Sequence, residues 1–79
     1  MSLTPDLLDE IELLNLFDLN TTQGGLKVHH DAGEQKIAAA KRLFDKGMTT
    51  QDDGGYLTDR GVETAEHVQL LVGMLQADS

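Results

Sequence analysis

The chain has 79 residues and a mass of 8.6 kDa, which leaves room for one hydrophobic core, so we expect a single domain over residues 1–79. Fourteen Asp or Glu against six Lys or Arg give a formal net charge of −8 at pH 7, which disfavours association with nucleic acid. The chain has no Cys, and this excludes a disulfide scaffold, a zinc–thiolate site and a thiol nucleophile.

The hydropathy pattern contains no apolar run long enough to span a membrane and no signal-peptide pattern, so we expect a cytoplasmic protein without a membrane partner. With 39 % hydrophobic residues at helical spacing, the chain is apolar enough to fold. A core this small supplies roughly 3–5 kcal/mol of net stability. Self-association is therefore a common way for such a chain to bury more apolar surface.

The first predicted helix begins at residues 4–6, where Thr4 can cap it, Pro5 suits the first turn and Asp6 faces the positive end of the helix dipole. Helical spacing gives this helix two apolar sides rather than one. Either it ends near Asn15 and the chain turns, or the second side packs against another subunit. A loop is predicted at residues 20–25. The first side holds Leu7, Leu8, Ile11 and Leu14, and the second holds Leu13, Leu16 and Phe17.

The second predicted helix follows a short extended piece at residues 26–29. Asp31 and Glu34 have the spacing of a capping box at its start, and Gly47 is suited to end it. Helical spacing divides its residues into two faces. Ile37, Ala40, Leu43 and Phe44 are predicted to be buried, and Gln35, Ala38, Arg42, Asp45 and Lys46 to point outward.

A β-hairpin and a last helix are predicted for the remainder of the chain. Residues 48–51 and 56–57 are β-compatible runs separated by Asp-Asp-Gly-Gly at 52–55, a strong hairpin signal. Thr58 is the candidate N-cap of the last helix. That helix carries a long apolar stripe of Val62, Ala65, Val68, Leu71, Val72 and Leu75, flanked by Leu70 and Met74.

Residues 39–71 resemble the second half of bacterial winged-helix regulators, in which a helix, a hairpin wing and a further helix follow one another. The matching residues are Leu43, Lys46, Gly47 and Met48, then Leu57, Thr58, Gly61 and Ala65. The whole chain, including residues 24–32 and 53–58, is also similar to a small family of uncharacterised bacterial proteins. The fold we predict is mostly α with one small β-hairpin, winged-helix-like, with about three main helices.

The first of these resemblances implies DNA binding, and the chain departs from it at two places. A helix-turn-helix needs two helices before the recognition helix, and glycines stand at 24 and 25 where one of them would lie. The tip of the predicted wing is Asp52-Asp53, whose carboxylates repel phosphates. The candidate nucleic-acid contacts are Gln35, Lys41, Arg42, Lys46 and Arg60; the alternative interpretation is a solvated helix face.

Metal binding and catalysis have little support in the sequence. His29, His30 and Asp31, with His67, have suitable ligand atoms, but adjacent residues of an extended piece point to opposite sides. The only serines, at 2 and 79, stand at the termini, and no carboxylate pair is flanked by apolar residues that would raise a pKa. We therefore predict no enzyme activity, no cofactor and no metal.

The function predicted from the sequence is a non-catalytic protein-interaction or regulatory accessory role, with winged-helix DNA binding as the alternative. A protein partner or a homodimer is expected, through the last helix or through the second side of the first. The residues predicted to make this contact are Leu13, Leu16, Phe17, Leu70 and Met74.

Overall fold

The computed structural model describes residues 2–20 and 24–77. Its elements are α1 (Pro5–Leu16), β1 (Leu26–Lys27), α2 (Glu34–Asp45), β2 (Thr49–Gln51), β3 (Gly54–Leu57) and α3 (Asp59–Gln76). Three helices and a small antiparallel sheet make the protein mostly α, as predicted, in an arrangement consistent with a winged-helix-like fold. Of the predicted loop at 20–25, residues 21–23 lie outside the described residues.

Helix α1 begins as the sequence predicts, because the Thr4 side chain accepts a hydrogen bond from the backbone N–H of Leu7 at 3.2 Å. It ends at Leu16, near Asn15 as the first of the two predicted alternatives has it, and Phe17 is extended. The prediction of two apolar sides is wrong. Instead, residues from both predicted sides lie together with Glu10 on one buried face, at the spacing i, i+3, i+4 and i+7. That face consists of Glu10, Leu13, Leu14 and Phe17.

Helix α2 begins at Glu34, so the capping box predicted for Asp31 and Glu34 is wrong. Gly33 is the N-cap residue with φ +106°, and no side chain within residues 2–20 and 24–77 caps the helix. The positive φ of Gly33, which glycine adopts readily, turns the backbone immediately before the helix. Asp31 therefore lies outside the helix start. The predicted end is confirmed, since Gly47 has φ +78° and the N–H of Met48 bonds to the carbonyl of Leu43 at 2.9 Å.

The buried face of α2 is narrower than the sequence predicts. Ala39, Ala40 and Leu43 are buried against α1, whereas Ile37 and Phe44 are about two-fifths exposed, at 39 % and 41 %. The prediction that Ile37 and Phe44 lie in the core is therefore corrected. The buried face of α2 consists of two alanines and one leucine, and the larger apolar residues Ile37 and Phe44 lie outside it.

The predicted hairpin is confirmed, and it is joined by a third strand. Its turn at Asp52 and Asp53 is shorter than the predicted 52–55, because Gly54 and Gly55 belong to β3. Strand β1, within the piece predicted only as extended, pairs antiparallel with β3, so that the strand order is β1-β3-β2. Gly54 permits this pairing. It has φ +120°, and a Cβ there would overlap the Leu26 carbonyl, whose carbon would be 3.0 Å away.

One core joins these elements. Its buried members come from all three helices, and residues of the sheet and loops pack against it. The buried apolar residues of the cluster are Leu13, Leu14, Ala39, Ala40, Leu43 and Ala65, and the partly buried ones are Leu19, Leu26, Val28, Met48, Leu57 and Val68.

Thr58 joins the end of α2, the sheet and the start of α3, as its predicted N-cap role suggests. Its hydroxyl accepts from the N–H of Gly61 at 3.0 Å and donates to the Gly47 carbonyl at 2.5 Å. We expect Thr58→Ala to lower the free energy of unfolding by about 1–2 kcal/mol, because the cap and the tertiary hydrogen bond are both lost. Urea denaturation measures this loss, and Thr58→Ser, which keeps the hydroxyl, is the control. Equal stability of the two variants would contradict the assignment.

Candidate interaction surface

The last two turns of α3 expose four large apolar side chains, which we call the distal α3 surface: Leu70, Leu71, Met74 and Leu75. Their exposed fractions are 64 %, 55 %, 70 % and 76 %. Leu71 and Leu75 belong to the predicted apolar stripe of this helix, so the stripe does not lie wholly in the core. Single exposed leucines are ordinary, but four within six residues form a patch of the kind found at interaction sites.

The covered part of α3 lies mostly before Gln69. The side-chain amide of Gln69 donates to the carbonyls of Leu14 and Phe17, at 3.3 and 2.7 Å, and so ties α3 to the end of α1. Up to this point one face of α3 is covered, with Gly61 and Ala65 buried and Val68 partly buried, although Val62 is 38 % exposed. After Gln69, only Val72 among residues 70–77 is partly buried.

The same part of α3 carries no charge. Residues 68–77 contain no Asp, Glu, Lys, Arg or His, although the chain as a whole has a net charge of −8. An uncharged apolar segment on an acidic protein has no ionic side chains to desolvate when another surface covers it. The distal α3 surface therefore combines apolar exposure with a low electrostatic cost of burial.

The structure separates the residues predicted for self-association into two groups. Leu13 and Phe17 are buried in the protein's own core, at 3 % and 5 % exposure, and offer no free surface. Leu16, at 57 %, is exposed, as are Leu70 and Met74. The prediction of self-association consequently rests on Leu16 and the distal α3 surface.

Two of the residues predicted to contact nucleic acid are held by a buried carboxylate instead. Nε of Arg42 donates to Glu10 at 2.8 Å, and the ammonium of Lys46 also donates to Glu10, so each carboxylate oxygen has a cationic partner. Arg42 further donates to the Asp6 carbonyl at 3.1 Å. The Glu10 side chain is 6 % exposed, and Arg42 and Lys46 are 30 % and 45 % exposed. These cations therefore join α2 to α1.

The pKa of Glu10 reflects two opposed effects. Burial acts to raise it, but the hydrogen bonds and positive charges of Lys46 and Arg42 together outweigh burial and hold the pKa below its usual value. The same contact with Glu10 is the main cause that raises the pKa of Arg42. Sequence reasoning missed this cluster. The available signal was a glutamate on the apolar face of α1 together with two cations spaced i, i+4 on α2.

The other three nucleic-acid candidates lie in different hollows of the surface, and each hollow also contains carboxylates. Lys41 shares a hollow of about 130 Å³ with Asp52 and Asp53 of the hairpin turn. Gln35 lies beside Asp9, Glu12 and Glu34, and Arg60 beside Glu63. Gln35, Arg42 and Lys46 thus lie beside carboxylates of α1, Lys41 beside those of the hairpin turn and Arg60 beside one of α3.

The residues weighed as metal ligands are not assembled into a site in the described ranges 2–20 and 24–77. His29, His30, Asp31 and His67 are all exposed, and no group of three or more His, Asp or Glu side chains there could hold a metal ion. Over the same ranges, no helix combines the length and hydropathy needed to cross a membrane.

These observations define a class: a small, mostly helical protein with a three-stranded sheet, a winged-helix-like element order and an apolar surface at the end of its last helix. Comparison with known families gives the particular assignment. A family of unknown function (DUF5669) matches residues 1–76, and the chain belongs to it. This agrees with the predicted membership of an uncharacterised family. No curated protein and no solved structure matches the chain.

Proposed function

We propose that this protein is a non-catalytic protein-interaction module, a regulatory accessory of the cytoplasm, and that it makes its contact through the distal α3 surface. The observation that supports the proposal is the exposure of Leu70, Leu71, Met74 and Leu75 on two helical turns that carry no charge. Interface centres are poor in charged residues and rich in large apolar ones, Met among them. The distal α3 surface has that composition.

The alternative function, DNA binding by a winged-helix regulator, has weaker support. Two of the cations predicted to contact DNA, Arg42 and Lys46, form ion pairs with Glu10 instead. Carboxylates occupy the hairpin turn at Asp52 and Asp53, where a wing would lie against phosphates. Kinship with winged-helix regulators remains a prediction from residues 39–71.

Photocrosslinking tests whether the distal α3 surface contacts protein. A photoreactive benzoylphenylalanine replaces Leu70 in one variant and Leu3 in another; these two leucines have the same exposure, 64 % and 65 %. In cells that produce the protein, irradiation is expected to give adducts of discrete mass from position 70 and none from position 3, because only the former lies in an interface.

A second substitution shows whether these adducts depend on the surface. Met74→Glu, added to the position-70 variant, is expected to abolish them, because it places a charge within the interface. Leu8→Glu, at an exposed leucine on α1, is the matched control and is expected to leave them unchanged. A position-70 variant that gives no adduct would contradict the proposal, as would tight, salt-sensitive retention of duplex DNA by the purified protein.

A further inference from the structure

We propose that the partner of the distal α3 surface is a second copy of this chain, and that the two α3 helices pair antiparallel across a twofold axis near residues 72–73. The inference rests on the proposed function, since it names the occupant of the same surface. The exposed area and the distribution of charge of the described residues support a second copy. The positions of the charged residues along α3 support the antiparallel orientation.

The area is sufficient for a symmetric dimer. The four side chains of the distal α3 surface, 55 % to 76 % exposed, together present on the order of 500 Å². A symmetric interface uses this patch twice, which gives roughly 1,000 Å², the size at which specific interfaces begin. Only a second copy doubles the patch without requiring a matching surface on another protein.

The charge distribution favours self-contact here over self-contact elsewhere. A symmetric interface uses the same surface on both copies, so a surface of a protein with net charge −8 usually brings carboxylates together. Residues 68–77 avoid this repulsion because they contain no ionisable side chain. Of the surface formed by α3, this is the part where two copies meet at the lowest electrostatic cost.

The N-terminal half of α3 and the helix dipoles favour antiparallel over parallel pairing of the two α3 helices. Parallel pairing would place Glu63 opposite Glu63 and align the two helix dipoles, both of which are unfavourable. Antiparallel pairing opposes the dipoles and places Leu70 opposite Leu75 and Leu71 opposite Met74. It also places the C-terminal end of each α3 near the level of His67 on the other copy. That end has no basic residue in its last turn to offset the negative end of the helix dipole.

Light scattering of the purified full chain tests the second copy. The mass is expected to rise from 8.6 kDa to twice that value as the protein concentration increases from about 10 µM to 1 mM. Dimers with a small interface form in this concentration range. The variant with Leu70→Glu and Met74→Glu is expected to stay at 8.6 kDa throughout. Leu3→Glu, an identical change at an equally exposed leucine, is expected to dimerise like the unmodified protein.

Spin labelling tests the orientation. The chain has no Cys, so Glu63→Cys gives a single attachment point on an exposed position of α3. With a rise of 1.5 Å per residue, antiparallel pairing places the two labels about 30 Å apart, and parallel pairing places them about 10–15 Å apart. A short distance would overturn the antiparallel arrangement.

The outcomes separate this inference from the proposed function. A mass of 8.6 kDa at every concentration overturns the second copy, as does a dimer that persists with Leu70→Glu and Met74→Glu. If the photoreactive residue at position 70 nevertheless forms adducts with the mass of a different protein, the proposed interaction function is supported and only the proposed partner, a second copy of this chain, is wrong. If position 70 yields no adduct, the proposed function fails as well.

Discussion

Gly61→Ala is expected to destabilise the protein by about 3 kcal/mol or more, which is most of the roughly 3–5 kcal/mol that a core of this size supplies. Gly61 is buried in the first turn of α3, and a Cβ there would overlap the Met48 carbonyl oxygen and lie 2.9 Å from its carbon. Backbone cannot rotate aside as a flexible side chain can. The same oxygen also accepts a hydrogen bond from the N–H of Thr58 at 3.0 Å. Moving the helix away would therefore weaken its start.

Gly73→Ala, in the same helix, is the control for this prediction. Among the residues that the structure describes, a Cβ at Gly73 would meet nothing within 4 Å, and alanine favours the helix over glycine by up to about 1 kcal/mol. Thermal or urea denaturation followed by circular dichroism should show opposite shifts for the two variants. A Gly61→Ala variant that unfolds at the same urea concentration as the unmodified protein would contradict the close packing of α3 against Met48.

Glu10→Gln is expected to lower the free energy of unfolding by about 1–3 kcal/mol, because Arg42 and Lys46 lose their shared counter-charge. The lower part of that range takes account of the partial exposure of both cations to water. Glu12→Gln, at an exposed position of the same helix, is the matched control and should change stability by less than about 0.5 kcal/mol. Urea denaturation at pH 7 measures both variants.

The contribution of Glu10 depends on pH in a defined direction. Its pKa is lower in the folded protein than the ordinary value of 4.5, so the folded state binds the proton less well than the unfolded state does. The stabilisation is therefore present above pH 4.5 and is lost as the pH falls through the folded pKa. The difference in stability between the unmodified protein and Glu10→Gln should shrink below that pH. A difference that stays constant on acidification would contradict the assigned ion pairs.

Of the candidate sites, the distal α3 surface was partly predictable and the Glu10 cluster was not. Leu70 and Met74 flank the predicted stripe, and their helical spacing alone places them away from its centre. Leu71 and Leu75 lie on the stripe, and helical spacing cannot show that the stripe continues past the core. Arg42 and Lys46 were expected to point to solvent, because the sequence pattern treats a charged residue as exposed and does not reveal a buried carboxylate 32 and 36 residues away.

The sequence by itself determined the features that depend on neighbouring residues. The start of α1 at Thr4, the end of α2 at Gly47, the hairpin turn at Asp52-Asp53 and the start of α3 at Thr58 all follow from short-range hydrogen bonding and backbone preference.

Only the tertiary structure decided which face of α1 is buried, what Glu10 contacts, that β1 joins the sheet and how much of α3 is covered. Each of these depends on residues far apart in the chain, such as Gln69 bonding to the carbonyls of Leu14 and Phe17. Helical periodicity shows which residues share a face of a helix, but not which part of that face another element covers.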